Sequence, residues 1–509
     1  MSHYLLLAGS PRVSLRVLLL LAVFLGSFAC NLPAWSQETS ASPSADSAMR
    51  VWIDLFEADH TALQRKFPLA QSPAFQPRFQ QFYDEWQTLL ARLNFGELDF
   101  AGQVDYLLLA NYIQHEEALL QRSGKRLEEL QPLLACTKPL LDLEEAHRQM
   151  LPVDSPASAK TLTQTKRAIE NAQSVLKLAA RKGEAPSTLV GYRASKALRE
   201  LQFRLREWHT FYSEYDPDFT WWNTKPYEEL DKALTSYHQQ IEELVVGAKS
   251  SDPTSLVGDS IGREALLAEL AYEQIPYTPE ELLTIAEREF AWCEAEMKKA
   301  VTEMNCPDWA TALEKVKAAH VAPGQQPQLI KQLALEATQF VEDRQLVTVP
   351  PLAKESWRME MMTPQRQLVN PFFTGGEVIS ISFPTSGMTH EQKMMSLRGN
   401  NIHFARATVH HELIPGHHLQ AFMNARHRPY RQIFRTPFWT EGWALYWEMY
   451  LWDLNFAKSP ENRVGMLFWR SHRCARIIFS LKFHLGKMTP QECVDFLVTR
   501  VGHERDNAT

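Results

Sequence analysis

Along most of the chain apolar residues recur three and four positions apart, the spacing of one buried helix face. After Thr224-Lys225-Pro226 the series Tyr227, Leu230, Leu234, Tyr237, Ile241 and Leu244 predicts a helix opening at Thr224. Thr278, Pro279 and Glu281 combine a capping box with proline at the first helical position, which predicts a helix running towards Ala300. Thr489-Pro490-Gln491-Glu492 repeats that start signal near the C-terminus. Strand-like runs are few: Leu346–Val349, and Val378–Phe383, entered through Gly375-Gly376 and closed by Pro384. The pattern predicts a mainly α protein. The Asp-, Pro-, Gly- and Ser-bearing stretch 250–260 separates an N-terminal helical half (50–255) from a C-terminal half (256–509), read together as one large helical domain.

The N-terminus follows a different pattern. Arg12 and Arg16 precede an apolar run of 14 residues, Val17 to Cys30, followed by a Ser/Ala-rich stretch from Gln37. That run is short of the ~20 residues a spanning helix needs, and its basic flank and small-residue exit fit a secretory signal peptide. Ala34-Trp35-Ser36 predicts cleavage after Ser36, making 1–36 the leader and 37–49 a flexible linker. The expected location is secreted or periplasmic, without a stable membrane span. The alternative is a lipoprotein acylated at Cys30, although Phe28 stands where a small residue is normally wanted.

Composition narrows the classes. With 45% hydrophobic and 22% charged residues over 509 positions, the chain is globular. Lys and Arg number 53 against 60 Asp and Glu, a net charge of −7, which argues against nucleic acid as a partner. Loss of the leader removes two arginines and no acid, so 473 residues with a charge of −9 remain. Five widely spaced cysteines then remain, and none has a CxxC partner to hold a metal.

Histidine carries the chemical signal. Six of the seventeen lie between 403 and 427, around His411-Glu412-Leu413-Ile414-Pro415-Gly416-His417-His418. In the common zinc-hydrolase motif two histidines at i and i+4 share a helix face with a glutamate base; here position i+4 is Pro415. His417 and His418, at i+6 and i+7, would sit about 9 and 10.5 Å along a continuous helix, too far to share an ion. The Pro-Gly step falls in that gap and predicts a bend that returns His417 towards His411. Thr436-Pro437 starts a further helix, with Trp439, Trp443 and Trp447 as its packing stripe and Glu441 off it. Glu441 is the candidate third ligand of a site with an open fourth position.

The elements His411-Glu412-Leu-Ile-Pro-Gly-His417-His418-Leu-Gln420 and Glu441-Gly-Trp-Ala-Leu-Tyr446 resemble the bacterial domain-of-unknown-function 885 family. The stretches from Gly262, Pro350-Pro351, Pro371-Phe-Phe, Arg398-Gly-Asn-Asn401, and Arg476 to His484 resemble it as well. The resemblance implies a gluzincin-like zinc metallopeptidase with a small β-sheet near the active site. It implies one Zn2+ held by His411, His417 and Glu441, with Glu412 as general base. Two departures stand out. Ser480 takes the place of an aspartate that many members carry between Arg476 and His484. Members also run on past 502–507 into a further helical region, so the chain is expected to be shortened at its C-terminus.

The expected reaction is hydrolysis of a peptide bond by metal-activated water. Tyr446 and His484 are the candidate donors to the developing oxyanion. Arg476, and Ser380 on the Val378–Phe383 strand, are candidate substrate contacts, that strand serving as an edge for an extended peptide. Arg426, His427, Arg428, Arg431 and Arg435 lie between the ligand segments, and reading of a substrate carboxylate there would favour carboxypeptidase- or dipeptidase-like action. His410 and His418 are expected beside the site rather than on the metal. The alternatives are an inactive relative that binds metal or peptide, and a helical scaffold of the cell envelope.

Overall fold

Side-chain oxygens at the helix starts set the order of the fold. In this computed structural model, which describes residues 47–247, 256–369 and 375–509, Asp99, Asp154, Ser187 and Asp216 each accept a backbone N–H of the helix that follows. They open α3, α5, α6 and α7 of the N-terminal half, whose helices are α1 (Arg50–Lys66), α2 (Phe75–Ala91), α3 (Phe100–Leu134), α4 (Lys138–Arg148), α5 (Ser155–Lys182), α6 (Thr188–Ser213) and α7 (Pro217–Ile241). The leader, Cys30, nearly all of the linker, residues 248–255 and Pro371-Phe372-Phe373 lie outside the described residues.

The C-terminal half contains α8 (Gly262–Tyr272), α9 (Pro279–Glu303), α10 (Trp309–Ala318), α11 (Gln326–Asp343) and α12 (Pro351–Ser356). Then follow β1 (Arg358–Met361), α13 (Pro364–Val369), β2 (Val378–Ile381), α14 (His390–Gly399) and α15 (Ile402–Glu412). The chain ends with α16 (His417–Asn424), α17 (Pro437–Asp453), α18 (Pro460–His484), α19 (Pro490–Phe496) and α20 (Arg505–Ala508). Residues Ala48–Thr509 group into one compact unit. The protein is mainly α; among the described residues the sheet is β1 and β2 alone, parallel, with Glu360 opposite Ser380.

Several expected elements appear as read, and three do not. The capping boxes of Thr278 and Thr489 are formed in full. The helix expected at Thr224 opens earlier, because the Asp216 carboxylate accepts from Asp218 and Phe219 and Pro217 supplies the first turn; Pro226 lies inside α7. Leu346–Val349 is not a strand: Leu346 and Val347 pack beside Phe340, Trp447 and Phe456 without a pairing partner. Strand β1, which the alternation did not mark, takes that place in the sheet. The tryptophan stripe is also broken, with Trp447 buried and Trp439 exposed.

Two cores support the site. In the N-terminal half α5, α6 and α7 pack around Ile169, Leu198, Trp208, Phe219, Leu234 and Tyr237. In the C-terminal half α9 and α15 pack on α18 around Phe290, Cys293, Phe404, Leu467 and Phe468. Polar bonds join the halves at several places, Arg193 of α6 to Asp259 at 2.7 Å among them. On α3, Arg122 and His115 hold Glu269 of α8 at 2.6 and 2.9 Å. Also on α3, fully buried Asp105 accepts from Tyr430 Oη at 2.8 Å and Arg431 Nε at 2.6 Å, fixing the segment that connects α16 to α17.

Candidate metal centre

The bend between α15 and α16 does what the Pro-Gly step predicts. Leu413 leaves the helix at φ −110°, ψ −102°, and Gly416 N donates to His410 O at 2.9 Å, folding the chain back on the last turn of α15. A Cβ at Gly416 would lie 1.8 Å from His411 O, so only glycine permits this approach. Trp443 Nε1 of α17 donates to Pro415 O at 2.8 Å and pins the bend to the helix that carries Glu441.

The consequence is a three-residue cluster. Ligand atoms of His411, His417 and Glu441 all lie within 4.8 Å of one another. His411 Nε2 is 3.5 Å from Glu441 Oε2, and His417 Nε2 is 3.6 Å from Glu441 Oε1. Three donors at 2.0–2.1 Å from one tetrahedral ion stand about 3.4 Å apart, so two imidazoles and a carboxylate in this arrangement fit a zinc ion.

Surrounding groups orient the cluster. His411 Nδ1 is 2.6 Å from Oε1 of buried Glu448, which also accepts from Arg473 Nη2 at 2.6 Å. With the proton on Nδ1 directed to Glu448, Nε2 is the nitrogen turned to Glu441, and it would exchange the proton it shares with that carboxylate for a metal. The 3.3 Å approach of Arg473 to the same Nδ1 is then a contact rather than a hydrogen bond. Burial works to lower the His411 pKa, but Glu448 and Glu441 outweigh it and hold the value at about 9. Burial, with His411 beside it, pushes His417 down to about 4. Hydrogen bonding to His411 holds Glu441 down at about 2.

Glu412 lies at the end of α15 beside this cluster. Its Oε2 accepts from Gly375 N at 2.6 Å, its backbone oxygen accepts from Gly376 N, and burial raises its carboxyl above the ordinary range. Strand β2 is thereby tied to the site, and its Ile379 and Ile381 pack on Ala405, Val409 and Leu413.

The cluster opens into a cavity of about 660 Å³, within the range of small-molecule and short-peptide sites. One wall is α18, whose Trp469, His472, Arg473 and Arg476 occupy one helix face at i, i+3, i+4 and i+7. His472 Nδ1 is 2.8 Å from His503 Nε2, and burial keeps His472 well below the ordinary histidine pKa.

The structure brings together His411, His417, Glu441, Glu412 and Arg476. It does not bring three other expected residues to the cavity. Tyr446 is exposed and stacked on Tyr450, because five residues beyond Glu441 it points about 140° around α17. His484 lies at the end of α18, about 18 Å along the axis from His472, where Nδ1 accepts from Ile261 N. Ser380 is buried with its hydroxyl donated to Glu360 at 2.9 Å, because strand alternation sends it to the face opposite Ile379 and Ile381. His410 and His418 are both buried off the cavity, with His410 Nδ1 at Arg406 O and His418 Nε2 at Ala353 O.

Sequence reasoning missed Glu448, His472 and Arg473. Glu448 had a usable signal: seven residues after Glu441, it lies on the same face of α17.

A sequence profile described as "Bacterial protein of unknown function (DUF885)" matches residues 62–509. The chain belongs to this family. No curated protein matches it. Among solved structures it is similar to a candidate lipoprotein of unknown function from Shewanella oneidensis, at 16% identity and a TM-score of 0.63, with 90% of this chain and 87% of that one covered. A candidate lipoprotein from Colwellia psychrerythraea aligns at 14% identity and a TM-score of 0.47, over 90% and 86% of the two chains. The Shewanella structure shares the fold of this family member. Among the described residues no helix is long and apolar enough to cross a membrane.

Proposed function

We propose that this protein is an exported zinc-dependent peptidase. The observation that carries the reading is the convergence of His411, His417 and Glu441 within 4.8 Å, with the Glu412 carboxylate on the adjoining residue. Zinc held by such donors supplies a Lewis acid and an acidified water. The chain's own residues do the rest. Glu448 and Arg473 fix the His411 ring. Gly375 N occupies Glu412 Oε2 and leaves Oε1 to accept a proton and return it to the leaving amine. His472, on the cavity wall, replaces Tyr446 and His484 as the donor available to a developing oxyanion.

The test is a comparison of wild type with Glu412→Gln on a peptide mixture, with new chain ends read by mass spectrometry. Zinc retained by both proteins but cleavage lost in Glu412→Gln is the expected result. Equal cleavage would remove Glu412 from the mechanism, and no cleavage by either would favour an inactive peptide- or metal-binding relative. Zinc absent from the wild type, or retained in His411→Ala, would leave a helical scaffold.

The leader of 1–36 supports export, and the Shewanella relative's description as a candidate lipoprotein supports acylation of Cys30 as the alternative maturation. Mass measurement of the mature N-terminus separates a chain starting at Gln37 from one starting at a lipidated Cys30.

A further inference from the structure

The charges that line the cavity are unevenly paired. Each carboxylate there is engaged: Glu441 with the two histidines, Glu412 with Gly375 N, and Glu377 with Arg358 at 3.2 Å. Arg473 is engaged by buried Glu448, which lies outside the cavity lining. Arg476 and Arg435 are different. Both line the cavity and both are exposed, and among the described residues neither has a carboxylate partner. Arg476 sits one helical turn beyond His472 on α18. Arg435 enters from the segment before α17, where its Nε donates to Thr440 Oγ1 at 3.0 Å and leaves both terminal nitrogens open. It is close enough to the cluster for its charge to act on His417. Of the other arginines of the 426–435 cluster, Arg426 lies over the Phe422 ring and Arg431 is bonded to Asp105, and neither they nor Arg428 line this cavity.

Two exposed guanidinium groups without paired carboxylates leave N–H donors open to an incoming anion, and the fork of an arginine matches a carboxylate through paired N–H donors. We infer that Arg476 and Arg435 form an anion subsite that binds a carboxylate of the substrate, so that the peptides cleaved carry a negative charge near the scissile bond. This rests on the peptidase reading and specifies its substrate class. The carboxylate has two sources, the C-terminus of a peptide or an acidic side chain.

Binding can be measured apart from turnover, using the zinc-loaded mature protein carrying Glu412→Gln. Calorimetry would compare acetyl-Ala-Ala-Phe as free acid, the same peptide as its amide, and acetyl-Ala-Glu-Phe amide. The free acid is expected to bind at least about tenfold more tightly than the Ala-Ala-Phe amide. Arg476→Gln and Arg435→Gln should each erode that preference, and the double variant should abolish it, while affinity for the amide and zinc content stay unchanged. If the glutamyl amide equals the free acid and loses its advantage in the same variants, the subsite stands and its carboxylate comes from a side chain. Equal binding of all three peptides, no binding of any, or a preference that survives the double variant would overturn the inference. The peptidase reading fails separately, if wild-type protein binds these peptides and cleaves none.

Discussion

Glu448 stands 2.6 Å from His411 on the side of the ring turned away from Glu441. It is buried, held in ionised form by Arg473 and His411 despite the cost of burial, and touches none of the proposed ligand atoms but this ring. Glu448→Gln keeps the shape and removes the charge. Zinc affinity should fall about 10–100-fold, the usual effect of losing a carboxylate behind a metal-binding histidine. Competition against a chromogenic chelator would measure it. Unchanged affinity would mean that Arg473 and Glu448 serve packing alone.

Gly416 offers a test of the bend itself. A methyl group there meets His411 O at 1.8 Å and His410 O at 2.6 Å. Gly416→Ala should cost about 3 kcal/mol or more in stability and lower zinc stoichiometry, because backbone cannot move aside as a side-chain tip can. Gly442→Ala is the matched control: it neighbours Glu441, nothing lies within 4 Å of its added Cβ, and helix propensity alone should make it neutral or more stable by up to about 1 kcal/mol. Denaturant unfolding of both variants distinguishes a close approach from a general intolerance of change near the site.

Chelation should be visible in the melting temperature. A ligand that binds only the folded state, present at 1,000 times its dissociation constant, stabilises by about 4 kcal/mol. Removal of zinc from wild type should lower the melting temperature, while a His411→Ala, His417→Ala double variant should melt at one temperature with or without chelator. An equal chelator effect on both proteins would place the metal elsewhere.

Far from the cavity, Glu144 in α4 titrates in the opposite sense from most carboxylates. Burial raises its pKa to about 7 from 4.5. A raised carboxyl contributes stability in full below the unfolded value and loses that contribution as pH rises through the folded one. Protein stability should therefore carry a component that declines between about pH 4.5 and pH 7. Glu144→Gln should remove this component and raise stability at pH 8 by up to about 3 kcal/mol, leaving pH 4.5 unchanged. Urea midpoints at the two pH values read the effect, and a variant less stable at pH 8 would contradict it.

Much of the fold is local and so was legible. Thr278 and Thr489 announce helices because a capping box is satisfied within four residues, and Thr436, whose hydroxyl accepts from Trp439 N, announces α17 together with Pro437. The pairing of His411 with His417 was also legible, since Pro415 and Gly416 leave the chain few ways forward except back. Contacts between distant segments gave weaker signals. Strand β1 has mostly exposed residues and no clean alternation, so only its register with β2 defines it. Arg473 and His472 belong to the site because α18 packs on α15, which no spacing within α18 records. Tyr446 and His484 failed for the converse reason: helix rotation and rise carry them away from residues that are near in sequence.

The bond from Asp105 to Tyr430 and Arg431 bears on how the protein could be divided. The stretch near 250 is the natural place to cut, and a fragment from 256 to 509 would hold every proposed ligand, the proposed base and all three cavity arginines. It would also strip Arg431 of its carboxylate and uncover the faces of Tyr430, Ile433 and Phe434 that pack on α1 and α3. That surface belongs to the connector between the helix carrying His417 and the helix carrying Glu441. The N-terminal half is thus a brace for the spacing of two proposed ligands it does not contain, and co-expression of the two halves, rather than the C-terminal half alone, is the route to a split protein that would keep them together.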